Sequence, residues 1–139
     1  MKRTLLIFLI VFIVMQFIQT EQSNEAIVKD NEIKAPLEVY TILKQSCYDC
    51  HSDNVKWPWY SKIAPASWII SSHVNSGRDA LNFSQWETYT KEEKEKELKD
   101  IYRTVYAVMP LPSYIWLHPE ADLTKEQRSL IRKWTGVRK

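Results

Sequence analysis

The stretch Ser46-Cys47-Tyr48-Asp49-Cys50-His51-Ser52 decides how the rest of the chain is read. It contains both cysteines of the 139-residue chain, three positions apart, with a histidine directly after the second. On a helical turn, residues i, i+3 and i+4 face the same way, so Cys47, Cys50 and His51 point into one place. Two thiols there can each add across a vinyl group on one edge of a haem, while the adjoining imidazole meets the iron. Covalent attachment and the proximal ligand then come from one turn. Three other readings compete. A redox dithiol wants a low-pKa thiolate at a helix N-terminus after a strand, and no strand pattern precedes Cys47. A zinc site needs four ligands, so His73 or His118 would have to complete it. A structural disulfide beside an incidental histidine is the plainest reading.

The flanking sequence is helical. Glycine occurs twice, at Gly77 and Gly136, too rarely for an all-β fold with many tight turns. Pro36 suits the first turn of a helix, and Leu37, Tyr40, Leu43 and Cys47 make one apolar stripe that ends at the cysteine pair. Val55 to Pro65, with two prolines and three large aromatics, reads as a loop packed by its own side chains. A second helix runs from Pro65 to Ser76. It has Ile69, Ile70, His73 and Val74 on one face and Gly77 as a left-handed cap. Thr90-x-x-Glu93 and Thr124-x-x-Gln127 have capping-box spacing and start two more helices. The first carries Leu98, Ile101, Tyr102, Val105 and Met109 on one stripe, ends at Pro110, and has solvated Glu92/Lys96 and Glu95/Lys99 pairs. The second buries Leu130, Ile131 and Trp134 and closes at Gly136. The expected fold is all-α, a small helical domain over residues 35–139.

Residues 1–20 are read as a signal peptide or membrane anchor. Lys2 and Arg3 precede an unbroken apolar run from Leu5 to Ile18. At about 14 residues, roughly 21 Å as helix, the run falls short of the roughly 30 Å hydrocarbon core, which favours a signal peptide. The flank Phe17 to Ser23 lacks a small-x-small cleavage site, which favours an uncleaved anchor. Either way the basic end stays in the cytoplasm and the rest lies outside, on the periplasmic side of the inner membrane. Such a compartment permits thioethers on Cys47 and Cys50. Residues 21–34 are polar and read as a tether. The net charge of +2, with no basic run interleaved with aromatics, sets nucleic acid aside as a partner.

From Cys47 to Trp134 the chain resembles a small bacterial haem-binding domain family, a c-type-cytochrome-like group of exported proteins. The likeness is carried by Cys47-Tyr48-Asp49-Cys50-His51-Ser52, Trp57-Pro58-Trp59-Tyr60-Ser61, Ile63-Ala64-Pro65 and Ser67-Trp68. It continues through His73-Val74, Gly77-Arg78, Leu81-Asn82-Phe83-Ser84 and Trp86. Met109-Pro110, Pro112-Ser113-Tyr114 and Leu117-His118-Pro119-Glu120-Ala121 complete it. The family often has a second proline directly after Met-Pro, where this chain inserts Leu111. The resemblance implies a cytochrome c-like helical fold with one covalently bound haem c in an exported or membrane-tethered protein, and no defined reaction. By similarity to c-type cytochromes, a backbone carbonyl near Pro58 or Pro65 holds the other ring nitrogen of His51.

Met109 is the first candidate for the sixth iron ligand. Its thioether is soft, raises the reduction potential, and sits where Pro110 forces the chain to turn. His73, on an apolar helix face, is the second, and His118 is read as a turn residue. Trp57, Trp59, Tyr60 and Trp68 are candidate haem walls or core, and Arg78 a candidate partner for a haem propionate. These residues point to an electron carrier, with His51 and Met109 on the iron and no side chain doing bond chemistry. Its partners would be other redox proteins met transiently, and the cytoplasmic membrane reached through the N-terminal helix. The alternative is a haem peroxidase or a gas or redox sensor with an open sixth position.

Overall fold

Capping and periodicity set the helices, and their packing leaves one apolar cavity among them. The computed structural model describes residues 1–138, and among these it is all-helical, with no strand. Helix α1 spans Lys2–Met15 and α2 spans Leu37–Ser46, followed at once by a single turn, α3 (Tyr48–His51). Helix α4 covers Ala66–Ala80, α5 covers Lys91–Ala107, α6 covers Pro112–Leu117 and α7 covers Lys125–Trp134. Short 3-10 turns at Lys29–Asn31, Trp59–Lys62, Phe83–Thr88 and Pro119–Ala121 make the corners.

Both capping boxes form. The Thr90 and Thr124 hydroxyls accept from the Glu93 and Gln127 amides, and those side chains accept in turn from the cap amides at 2.8 Å. Helix α7 packs against α2 and α5. Val39, Ile42, Leu43, Tyr48, Phe83, Trp86, Ile101, Val105 and Ile131 meet in one core. The buried face of α2 is one step round from the stripe read in the sequence. Val39, Ile42, Leu43 and Ser46 are inside, and Leu37 stands 80% exposed. The Glu92/Lys96 and Glu95/Lys99 pairs do not form. Lys96 turns instead to Glu97 at 2.7 Å and Asp100 at 3.9 Å, and Glu95 is reached by Lys91 at 4.0 Å.

Gly77 is not a cap. It lies inside α4, and Gly136 alone among the described residues has positive φ, at 66°, closing α7 as expected. Helix α6 was not legible in the sequence. Leu111 caps it and Pro112 takes its first turn, which gives the inserted leucine a place.

The N-terminal region departs most from expectation. Helix α1 has 14 residues, and no helix among the described residues is long and apolar enough to cross a membrane. The expected membrane-spanning helix is therefore not supported. The segment read as a tether is also not free, because residues 16–25 lie against the loop and helix that come after the cysteines. The Gln16 amide pairs with both backbone groups of Ala64, at 3.0 and 3.2 Å. The Asn24 amide pairs in the same way with Val55, at 2.9 and 3.0 Å. Between them Trp68 Nε1 donates to the Ile18 carbonyl at 2.9 Å and Gln22 bonds Ser61. The loop 55–65 is thus held by this strap rather than by its own aromatics, and Trp59 is 77% exposed.

Candidate functional site

The break between α2 and α3 builds the site. Cys47 leaves helical geometry at φ −127° and starts a new turn, in which Cys50 and His51 amides donate to the Cys47 carbonyl at 3.2 and 3.0 Å. That turn lies against α4 at Gly77. A Cβ there would fall 2.4 Å from the Cys50 carbonyl oxygen, so only glycine allows this approach. The closeness of turn and helix makes one wall of a cavity of about 560 Å³, within the roughly 300–1,000 Å³ range of cofactor pockets.

Cys47, Cys50, His51 and Met109 all line this cavity. Met109 arrives from the end of α5, where the chain turns through a cis Met109–Pro110 peptide. The rest of the lining is mostly apolar, including Leu43, Ile70, Val74, Leu81, Phe83 and Val105. His73 lines it too, from α4.

His51 Nδ1 donates to the Leu81 carbonyl at 3.0 Å. A carbonyl can only accept, so Nδ1 carries the proton and Nε2 is the nitrogen free for a metal. The carbonyl comes from Leu81 and not from the neighbourhood of Pro58 or Pro65. A polar network just downstream fixes Leu81 in place. Asn82 donates to the buried Asp53 carboxylate at 2.6 Å and accepts from the Ser84 amide at 3.0 Å, while Gln85 donates to Asp53 at 3.1 Å. Burial holds the His51 pKa below the usual histidine value, in spite of the opposing carbonyl bond, so the imidazole is neutral, as a metal ligand must be.

The cysteines are free and half-buried in the cavity wall. Burial pushes the Cys47 thiol up to about 12, helped by Cys50, and the Cys50 thiol up to about 11, helped by Asp49. Such thiols are poor redox nucleophiles, which removes the support for a redox dithiol. The zinc reading also loses its ligands. No group of three or more His, Cys, Asp or Glu side chains among the described residues is placed to hold a metal ion. His118 has both ring nitrogens engaged, by Tyr60 at 2.5 Å and Glu120 at 3.2 Å.

Of the candidate aromatic walls only Tyr60 lines the cavity; Phe83, Tyr114 and Trp116 are the others that do. Arg78, a candidate partner for a propionate, is not among the residues that line the cavity. Its guanidinium donates to the Ser52 carbonyl at 2.8 Å and the Ser23 carbonyl at 3.2 Å, tying the strap to the turn after His51. Leu81 and Asn82 enter the sequence reading only as part of the family likeness and Asp53 not at all, because no local pattern marks a carbonyl 30 residues downstream as a histidine's partner.

The residues present fit a haem. A neutral imidazole with its outer nitrogen fixed and a soft thioether share one apolar cavity with two thiols at the required spacing. No curated protein and no solved structure shows significant similarity to the chain. The profile of the haem-binding domain family matches residues 10–136, nearly the whole chain, and the protein belongs to that family.

Proposed function

We propose that the protein is a monohaem electron carrier that works outside the cytoplasm, with its haem attached covalently through Cys47 and Cys50 and ligated by His51 and Met109. One observation carries the reading: a single apolar cavity gathers the Cys47–His51 turn and Met109, residues about 60 positions apart in the chain. Bound haem supplies a one-electron Fe(III)/Fe(II) couple. The chain's own residues tune it. Leu81 orients His51 and raises its basicity as a ligand. The Met109 sulfur favours the reduced, softer ion. The apolar lining keeps water out and favours the state of lower charge. Trp116, 83% exposed, and Ile69 line the cavity and also face solvent, which suits brief contact with a redox partner at the cavity rim. Lys2, Arg3 and the apolar run after them support export to the periplasmic side.

A second reading, an open sixth position that takes peroxide or a gas, is favoured by one observation. Although the sequence shows no acid–base pair, the fold brings Tyr60 and His118 together in the cavity wall. The spectrum separates the two. A six-coordinate low-spin haem with a methionine–iron band supports the electron carrier, and a high-spin spectrum that changes on adding carbon monoxide or peroxide supports the second. In Met109→Ala the haem stays attached, the reduction potential falls and the iron opens to external ligands; an unchanged spectrum names the wrong ligand. His51→Ala abolishes normal ligation. Mass spectrometry of protein made in a host that attaches c-type haem gives the mass of chain plus haem. A colourless, unmodified chain overturns the proposal.

A further inference from the structure

His118 sits in the wall of the cavity that His51 and Met109 line, with a partner on each ring nitrogen. Its Nδ1 is 3.2 Å from a Glu120 carboxylate oxygen, and Tyr60 Oη is 2.5 Å from its Nε2. The carboxylate only accepts, so Nδ1 carries the proton and Nε2 receives the phenol's hydrogen bond. The Tyr114 ring stacks on the imidazole, with centroids 4.5 Å apart and planes inclined by 21°. The His118 side chain keeps 20% of its surface exposed and that of Glu120 64%, so water reaches the pair. A second carboxylate, Asp49 of α3, accepts from Tyr114 Oη at 2.7 Å, and Gln45 of α2 holds the Glu120 carbonyl. Lys56 also lines the cavity, and its backbone amide bonds Asp49. A base in a cavity wall, bonded to a carboxylate and reached by water, is built to gain and lose a proton.

We propose that His118 binds one proton for each electron the protein accepts, so that electron and proton are carried together. The proposal rests on the electron-carrier reading. An electron added in an apolar cavity lowers the local charge by one, and an imidazole in the cavity wall gains proton affinity because an apolar lining screens charge poorly. The coupling is reciprocal: protonation of His118 raises the reduction potential by the same free energy. The electron comes from a one-electron donor protein and the proton from water. The proton adds at Nε2, and the Tyr60 hydroxyl turns to become the acceptor. The imidazolium then donates to Tyr60 and to Glu120, and Tyr114 stacks against the cation. On oxidation both charges leave.

Redox titration of the full-length haem protein at a series of pH values, with NMR of the His118 ring in both oxidation states, tests this. The potential falls as pH rises, by up to about 59 mV per tenfold change in proton concentration. His118 titrates at higher pH in the reduced protein than in the oxidised one. In His118→Gln the slope falls, leaving only what His73 and Asp100 in the same lining contribute. Glu120→Gln keeps the slope but moves it to lower pH, because the imidazolium loses its carboxylate. A reversible potential that ignores pH overturns the proposal alone, as does an unchanged slope in His118→Gln, or a His118 ring that titrates identically in both states. A protein that accepts no electron at all overturns the electron-carrier reading and the proposal with it.

Discussion

At the scale of single residues, Gly77 shows how little room the site leaves. Glycine inside a helix is ordinarily worse than alanine by about 1 kcal/mol, so the substitution would stabilise an isolated α4. Here the added methyl meets the Cys50 carbonyl at 2.4 Å, and overpacking of this kind costs about 1–3 kcal/mol. Gly77→Ala is therefore expected to destabilise the protein and lower its haem content, measured by chemical denaturation and by absorbance per chain. A more stable variant with full haem content would contradict the close approach of α4 and the cysteine turn. Glu32 is a second single-residue case. Burial by itself raises its carboxyl, but Lys44 at 3.1 Å and Tyr40 at 3.1 Å outweigh that and hold it below the usual glutamate value. A depressed folded-state value stabilises the protein above the unfolded carboxylate range, and the benefit is lost as pH falls through the folded value. Acid titration of stability should show this loss in the native chain and a shallower one in Glu32→Gln.

At the scale of elements, Arg128 of α7 fastens the end of α5 that delivers Met109. Its guanidinium donates to the Met109 carbonyl at 2.7 Å, to the Leu123 carbonyl at 3.1 Å and to the Val105 carbonyl, and it pairs with Asp122 at 3.3 Å. The bond to Val105 satisfies a carbonyl that α5 leaves open at its C-terminus, and the bond to Met109 holds the chain just past that end. Bonds to a charged donor are worth about 1.5–3 kcal/mol, so Arg128→Gln is expected to lose roughly that much stability. Freed of the clamp, the Met109 turn holds its sulfur less firmly, and added imidazole should displace it at lower concentration than in the native protein. Equal imidazole affinity in the two proteins would show that the turn keeps its place without Arg128.

At the scale of the whole molecule, the strap of residues 16–25 decides how rigid the cavity is. It holds the loop 55–65, and Val55, Lys56, Pro58 and Tyr60 of that loop line the cavity. Neutral hydrogen bonds of this kind contribute about 0.5–1.5 kcal/mol each. Gln16→Ala combined with Asn24→Ala is expected to raise amide hydrogen exchange in residues 55–65 and leave α5 and α7 unchanged. Exchange that does not respond would mean that the loop is held from elsewhere.

What the sequence determined by itself is local. The Cys47–His51 turn, the capping boxes at Thr90 and Thr124, the end of α5 before Pro110 and the left-handed Gly136 all depend on residues within about four positions of one another. That is the range over which helix hydrogen bonds and backbone sterics act. Tertiary structure decided the rest. Leu81 became the partner of His51, Gly77 became a contact rather than a cap, the supposed tether became a strap, and Tyr60, His118 and Glu120 were brought into one chain of hydrogen bonds. Each of these depends on which helix faces rest on each other. That choice is set by the burial of apolar surface over the whole chain, which leaves no mark at a single position.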